Sequence, residues 1–248
     1  MARKRYGSRR RRRGRFTFLY KLLSVLIICA AIVAALTLFF KVENIEVMGE
    51  SRYSEATILE AAGVSVGDNL YLLNKYTVSS NIYQKCPYVQ DVRINRQPPD
   101  TLVIEVTECS AVAAIAQNGS YWLISSQGKI VEKKTSSDLP KVDGCVLVDP
   151  AVGSWVQMEE ESDQTELCAL LAALEDAGVM DQMEGIHLDD AGTVVMDYAG
   201  RFTVELPRGA DYAKKLYQLN SAISQLETNE TGTFNMNDEE KTFFIPGK

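Results

Sequence analysis

The sequence predicts an α+β protein with one transmembrane helix, a small domain of the order strand-helix-helix-strand-strand, and a mainly β second domain with flanking helices. Three observations predict this class. Residues 22–40 form a run of 19 residues without a charge. Beyond it, apolar side chains recur with period two or with helical spacing, as they do in strands and helices. Gly, Pro, Asn and Asp residues separate these segments, which is typical of turns.

The uncharged run has the length of a membrane-spanning helix, because about 20 residues at a rise of about 1.5 Å cross the hydrocarbon core. Twelve of its 19 residues are Leu, Ile, Val or Phe. A cleaved secretory signal is the alternative, since small residues occur within the run. The apolar region of such a signal usually covers only about 7–15 residues before a polar segment, whereas Phe39 and Phe40 end this one. We therefore expect an uncleaved anchor at residues 21–40.

The distribution of cations predicts the orientation of this anchor. Ten Lys or Arg residues lie at or before position 21, and only two lie in the next fifteen residues after the run. The positive-inside rule places residues 1–20 in the cytoplasm and residues 41–248 outside, where 16 basic and 33 acidic residues give a net charge of −17. The basic residues expected to set this topology are Arg9, Arg10, Arg11, Arg12, Arg13 and Lys21.

The basic tail is expected to contact anionic lipid, since clusters of cations beside a membrane are attracted to its surface. Nucleic-acid binding is the other use of such a cluster. No basic surface interleaved with aromatic residues follows the tail, so we expect no nucleic-acid partner.

The first outer domain begins with an alternating segment at residues 44–47 that ends on Gly49, which predicts a strand. Residues 55–62 follow Ser54 and precede Gly63, the start and stop signals of a short helix.

A second helix is predicted over residues 70–85, where apolar residues recur at helical spacing until Pro87. Its predicted apolar residues are Leu72, Leu73, Tyr76, Ile82 and Tyr83. Strands are predicted at residues 89–95 and 101–107, joined by a turn that contains Pro98 and Pro99.

The second outer domain is richer in strands. Asn118 and Gly119 between apolar runs at residues 111–116 and 121–125 predict a β-hairpin. Amphipathic helices are predicted at residues 164–177 and 211–226. Further strands are predicted at residues 186–188, 193–198, 201–206 and 233–236. The predicted core residues of the last helix are Tyr212, Leu216, Leu219 and Ile223.

Residues suited to catalysis are sparse. His187 is the one histidine, and it lies between Ile186 and Leu188 in a predicted strand without the partner spacing of a base or a metal ligand. Glycine loops and nucleophile motifs are not found either. We therefore expect no enzyme activity, no catalytic residue, no cofactor and no metal. The four outer cysteines, which core thiols or disulfides would explain equally well, are Cys86, Cys109, Cys145 and Cys168.

The strand-helix-helix-strand-strand order resembles a POTRA domain, a three-stranded sheet with two helices on one face. Its matching residues are Val42, Ile45, Val47, Gly49, Ser54, Ile58, Gly63, Gly67, Asn69, Leu70, Pro87, Val89, Val92, Arg96, Gln97, Pro98, Pro99, Leu102, Ile104, Val106 and Glu108. Those of the second domain are Tyr121, Leu123, Ile124, Gly128, Lys129, Ile130, Leu139, Pro140, Gly144, Lys215, Leu216, Leu219, Gly232, Thr233 and Phe234. Together with the single anchor, this series resembles the bacterial FtsQ/DivIB cell-division family.

The resemblance implies a scaffold of the division septum that lies in the cell membrane. Its implied partners are FtsL-like and FtsB/DivIC-like single-pass division proteins, with which it would regulate septal peptidoglycan synthesis. The implied domains are a tail at 1–20, a transmembrane helix at 21–40, a POTRA domain at 41–109, a β domain at 110–236 and a tail at 237–248. A POTRA-bearing chaperone or component of a transport or secretion system is the alternative.

The resemblance also implies that the end of the second domain binds a partner strand at a sheet edge. The matching residues are Thr233, Phe234, Asn235 and Met236, with Phe243 and Phe244 as possible anchors. Core packing of Phe234 and Met236 is the alternative role for those two side chains. On the edge interpretation, proline at position 234 would prevent partner binding and leave the fold largely intact.

Overall fold

The computed structural model describes residues 14–188, 192–238 and 241–247. Its first element is helix α1 (Gly14–Phe39), of which Phe18–Phe39 has a mean hydropathy of 2.9 and is not buried against the rest of the protein. These 22 residues are long and apolar enough to cross a membrane. Lys21 lies near the start of this segment and is exposed. The predicted topology residues Arg9 to Arg13 lie outside the described residues.

The first domain after α1 is a three-stranded sheet covered by two helices. Its elements are β1 (Asn44–Met48), α2 (Glu55–Ala62), α3 (Lys75–Lys85), β2 (Val89–Gln97) and β3 (Thr101–Glu108). The strand order is β1-β3-β2, with β1 parallel and β2 antiparallel to β3. Ile58 of α2 and Ile82 of α3 are buried against Leu102 and Ile104 of β3. The predicted order of elements is therefore confirmed.

Helix α3 begins five residues later than predicted, at Lys75 rather than at residue 70. The side chain of Asn69 accepts hydrogen bonds from the N–H groups of Tyr71 and Leu72, both at 3.0 Å, and so forms a separate turn. Asn74 then caps α3 by accepting from the N–H of Tyr76. Leu72 and Tyr76, two of the apolar residues on which the longer helix was predicted, are 75% and 88% exposed.

The second domain is built on one nine-stranded sheet. Its strands are β4 (Ala113–Gln117), β5 (Ser120–Ile124), β6 (Ile130–Lys134), β7 (Lys141–Asp143), β8 (Met183–Leu188), β9 (Thr193–Tyr198), β10 (Phe202–Pro207), β11 (Gly232–Asn235) and β12 (Phe243–Pro246). Their order is β12-β11-β10-β9-β8-β7-β4-β5-β6. Asn118 and Gly119 both have positive φ, 52° and 71°, which gives the predicted β4–β5 hairpin the twist of a type I′ turn.

Two helices complete the core of this domain, α4 (Glu161–Asp176) and α5 (Tyr212–Ile223). Leu170 and Leu171 of α4 are fully buried, and Leu216 and Leu219 of α5 are each 1% exposed. Both helices lie in one apolar cluster with side chains from the central strands. The predicted inward positions of α5 are therefore confirmed, with Ile223 partly buried at its end.

Polar contacts join the two domains that follow α1. The hydroxyl of Tyr88 donates to the Glu132 carboxylate at 2.6 Å. Burial and this hydrogen bond raise the pKa of Tyr88 to about 12. The amide of Gln90 donates to the side-chain oxygen of Gln127 at 2.8 Å. These contacts connect the start of β2 with β6 and with the turn that precedes β6.

Candidate functional site

The predicted edge strand is an interior strand. β11 pairs in parallel with β10 on one side and antiparallel with β12 on the other. The prediction that residues 233–236 form the sheet edge was therefore wrong, because the chain turns back after Met236 and adds β12 outside them. Among the described residues, β12 is the last strand at this end of the sheet.

The side chains of the predicted site divide between core and surface. Phe234 and Met236 are 1% and 0% exposed, which confirms core packing as their role. Thr233 and Asn235 are only partly exposed, and the amide of Asn235 donates to Glu205 at 2.8 Å. Proline at position 234 would remove a core ring from a paired strand. It would therefore disturb the fold that the sequence analysis expected to survive.

Strand β12 presents two different faces. The Phe244 ring packs inward, with its centroid 4.9 Å from that of Phe234 and 6.2 Å from that of Phe202. Phe243 and Ile245 point the other way and are 53% and 58% exposed. β12 is thus held to the core through one ring and leaves an apolar face beside its open edge.

The backbone of β12 offers hydrogen-bonding groups away from β11. The N–H of Gly247 donates to the carbonyl of Thr231 at 2.7 Å, which fixes the alternation of inward and outward groups. By this alternation the N–H of Ile245 faces β11, and the N–H and C=O of Phe244 face outward. Pro246 has no N–H to present, as is typical of an edge position. The outward groups of Phe244 can therefore pair with an added strand.

Lys215 holds the turn between β11 and β12. This lysine of α5 is 5% exposed, and its ammonium donates to the carbonyls of Met236 at 2.9 Å and Asp238 at 2.6 Å. The sequence analysis gave Lys215 no role, although a lysine on the inner face of a predicted amphipathic helix was a signal that it has a buried partner.

The opposite edge of the sheet has a different character. β6 ends with Glu132, Lys133 and Lys134, of which both lysines are exposed. Charged side chains on an edge strand discourage pairing with another chain. β12 has no charged residue along its four positions. The two edges of the nine-stranded sheet thus differ in their fitness for strand addition, and β12 is the better one.

The ionisable groups show little of the geometry of an active site. His187 contacts the carboxylate of Asp143 through Nδ1, and the two side chains are 55% and 71% exposed. Within residues 14–188, 192–238 and 241–247, no group of three or more His, Cys, Asp or Glu residues is arranged to hold a metal. Asp189 and Asp190 lie outside the described residues.

The cysteines are thiols rather than disulfides in this structure, including Cys29 of α1. Burial raises the pKa of Cys145 to about 11, with nearby carboxylates acting in the same direction. Burial also raises the pKa of Cys86, Cys109 and Cys168. All four are therefore protonated near neutral pH, which makes them poor nucleophiles.

A cleft of about 830 Å³ lies between α3 and the loop at residues 148–157. Tyr76 and Trp155 form part of its wall, and Asp149 is the acidic residue in its lining. A lone carboxylate among serine, glutamine and aromatic side chains does not provide an acid–base pair. The cleft is thus a polar and aromatic recess rather than a recognisable catalytic centre.

Comparison with protein families agrees with both domains. A family model for the POTRA domain of FtsQ type matches residues 40–108. A second, for the C-terminal part of the cell division protein FtsQ/DivIB, matches residues 113–237, half of the chain. The chain belongs to the FtsQ/DivIB family. The resemblance and the α+β fold class given by the sequence analysis are confirmed.

Individual relatives agree with this assignment. The chain is 31% identical over 200 residues to the cell division protein FtsQ of Geotalea daltonii, covering 77% of this chain and 70% of the relative. It is 25% identical over 193 residues to the cell division protein DivIB of Clostridium tetani, covering 76% and 72%. FtsQ/DivIB proteins are cell division proteins rather than members of a known enzyme family, and this chain is one of them.

A solved structure is also similar. It is the major extracytoplasmic domain of the trans isomer of the cell division protein DivIB from Geobacillus stearothermophilus. The two share 16% sequence identity with a TM-score of 0.33, over 49% of this chain and 97% of that chain.

Proposed function

We propose that this FtsQ/DivIB protein is a non-enzymatic scaffold of the division septum that binds a partner strand at the β12 edge. The observation that carries the proposal is the open side of β12, with an outward N–H and C=O at Phe244 and exposed side chains at Phe243 and Ile245. Backbone hydrogen bonds to a sheet edge supply affinity, and side chains beside the edge supply specificity.

FtsL-like and FtsB/DivIC-like division proteins are the proposed partners. Such single-pass proteins would lie in the same membrane as α1 and reach the outer domains with their own outer segments. The cation count around α1 supports a cytoplasmic N-terminus and outer domains beyond the membrane. By holding these partners together at the septum, the protein would regulate septal peptidoglycan synthesis.

The mode of binding is tested by two substitutions at one position. Phe244→Ala removes the ring that packs on Phe234 but keeps the outward N–H. Phe244→Pro removes the ring and also the N–H, while the inward hydrogen bonds of β12 remain possible. The difference between the two variants therefore reports the outward donor together with the φ that proline fixes.

Partner binding is measured with the full-length protein in nanodiscs and the FtsB/DivIC-like protein of the same bacterium. We expect Phe244→Pro to bind about fivefold more weakly than Phe244→Ala, since a lost hydrogen bond at an edge is worth about 1 kcal/mol. Hydrogen exchange of the β11 amides is the control, which tests whether both variants keep the sheet. Equal affinities of the two variants would contradict strand addition at β12.

A further inference from the structure

The loop at residues 64–73, here named the juxtamembrane loop, lies against the last turn of α1. The side-chain amide of Asn69 donates to the carbonyl of Leu36 at 3.0 Å. The N–H of Leu70 donates to the carbonyl of Phe40 at 2.8 Å. The rings of Phe40 and Tyr71 meet edge to face, with their centroids 4.9 Å apart. The POTRA domain is therefore fixed to the helix at a defined level.

The contact between Asn69 and Leu36 lies within the apolar span of α1. Phe18–Phe39 is 22 residues long, which gives about 33 Å of helix against a hydrocarbon core of about 30 Å. Leu36 lies three residues before the end of this segment, about 4.5 Å along the axis. When α1 crosses the membrane, the loop that contacts Leu36 is at the boundary between acyl chains and headgroups.

The surface of the loop fits this depth. Val66 and Leu72 are 70% and 75% exposed, and Tyr71 is 46% exposed. Phe39, next to the Phe40 ring that meets Tyr71, is 76% exposed. Tyrosine is enriched at membrane–water interfaces because its ring is apolar and its hydroxyl is polar.

The loop backbone is also suited to a region poor in water, where polar groups must be satisfied within the protein. The N–H of Gly67 donates to the carbonyl of Val42 at 2.8 Å. Asn69 accepts from Tyr71 and Leu72 through its side chain and from Leu73 through its carbonyl.

The charges near the loop do not oppose this placement. The carboxylate of Asp68 accepts from the N–H of Ser65 at 2.9 Å and so folds back on its own turn. The Arg96 guanidinium donates to the carbonyl of Leu73 at 2.7 Å and lies 5.9 Å from the Tyr71 ring centroid. Lys41 lies at the end of α1 and is exposed. Basic side chains of this kind are typical of the interface beside a membrane helix.

We propose that Val66, Tyr71 and Leu72 insert into the outer leaflet of the membrane that α1 crosses, so that lipid covers this apolar surface. The proposal rests on the membrane span in the proposed function, but not on partner binding at β12. Its consequence is a POTRA domain held in one orientation on the bilayer by two contacts, the helix and the juxtamembrane loop.

The test places a tryptophan at the loop in the full-length protein, purified alone in nanodiscs. The fluorescence of the added tryptophan is obtained by subtracting the emission of the unchanged chain from that of Leu72→Trp. It is measured in ordinary lipid and in lipid that carries bromine, a quencher, near the top of the acyl chains. Tyr217→Trp is the matched control, because Tyr217 is 78% exposed on α5 of the second domain. Leu26→Trp, within the apolar span, reports whether α1 is in the bilayer.

We expect brominated lipid to reduce the fluorescence of the tryptophan at position 72 by about twofold, because that residue lies at the membrane interface. The fluorescence of the tryptophan at position 217 should not change. If Leu26→Trp is quenched and Leu72→Trp is not, the loop proposal fails while the span stands. If neither is quenched, the span and the loop proposal fail together. A loop covered by a partner protein instead of lipid would give the first of these two failures, since no partner is present.

Discussion

The ammonium group of Lys129 donates a hydrogen bond to the backbone carbonyl of Val89, so a buried lysine of the second domain contacts the first residue of POTRA strand β2. Lys129 is fully buried, and its ammonium also lies 4.6 Å from the centroid of the Tyr83 ring. Burial lowers the pKa of Lys129 to about 8. The junction between the domains therefore contains a cation that is costly to keep charged.

The stability of the second domain should rise with pH because of Lys129. Between its folded pKa of about 8 and the ordinary lysine pKa of 10.5, the unfolded chain binds more protons than the folded one. The free energy of unfolding then increases with pH, by at most about 1.4 kcal/mol per unit. Lys129→Met removes this rise. Urea unfolding of the full chain in detergent, followed by tryptophan emission, measures it between pH 7.5 and about 9.5.

Trp122 and Trp155 both lie in the second domain, so their emission reports that domain. The stability of the unchanged chain relative to Lys129→Met should increase by about 2 kcal/mol over this range. Lys214→Met is the control, since Lys214 is exposed on α5 of the same domain and its loss should leave the pH dependence unchanged. Parallel curves for the unchanged chain and Lys129→Met would contradict the prediction.

Gly49 directly follows strand β1, at a position where a side chain does not fit. Its φ is +106°, and a Cβ built there would lie 2.0 Å from the carbonyl oxygen of Val106. Gly49→Ala should therefore destabilise the POTRA domain by about 3 kcal/mol or more, through both strain and a clash with backbone. Hydrogen exchange of the β1 and β3 amides measures the loss.

Gly63→Ala is the matched control for Gly49→Ala. Gly63 also has a positive φ, +66°, but the nearest atom to a Cβ there is the Asn81 side-chain nitrogen at 3.7 Å. Its cost should be strain alone, about 1 kcal/mol. Similar losses for the two variants would show that contact with Val106 is not what requires glycine at position 49.

Lys215 should determine how firmly β12 is held. Lys215→Met keeps the buried aliphatic stem but removes the donors to Met236 and Asp238. We expect amide exchange across β11 and β12 to become about tenfold faster, as two charge-assisted hydrogen bonds are lost at the turn between them. Lys214→Met is the adjacent control, because Lys214 is exposed and its side chain does not face this turn. Equal exchange in the two variants would exclude the role given to Lys215.

Local signals gave the best predictions of the fold. α2 was predicted with its observed bounds because Ser54 accepts from the N–H of Thr57 and Gly63 ends the helix in the left-handed region. The hairpin at Asn118 and Gly119 was predicted for a similar reason, since both residues tolerate positive φ. The start of α3 was misplaced because Asn69 and Asn74 each cap a turn, whereas the apolar spacing alone resembled one continuous helix.

The sheet edge was misplaced because strand pairing is not local. Nothing within residues 233–236 indicates whether another strand lies beyond them. The run Phe243, Phe244 and Ile245 is short for a strand and follows an acidic stretch, so the sequence analysis treated it as a tail. Its pairing depends on the turn held by Lys215 and on the ring contact of Phe244 with Phe234, which arise only once α5 and β11 are folded.

Strand β7 has a consequence for how the protein is made. It has three residues, yet it pairs in parallel with β4 on one side and β8 on the other. In the proposed topology residues 1–20 stay in the cytoplasm and the domains after α1 cross the membrane in chain order, so β4 to β7 are complete while the 39 residues between Asp143 and Met183 are still emerging. During that interval the outer side of β7 is an unfilled edge. Its shortness, with exposed Lys141 and Asp143, makes it a poor template for a foreign strand until β8 arrives.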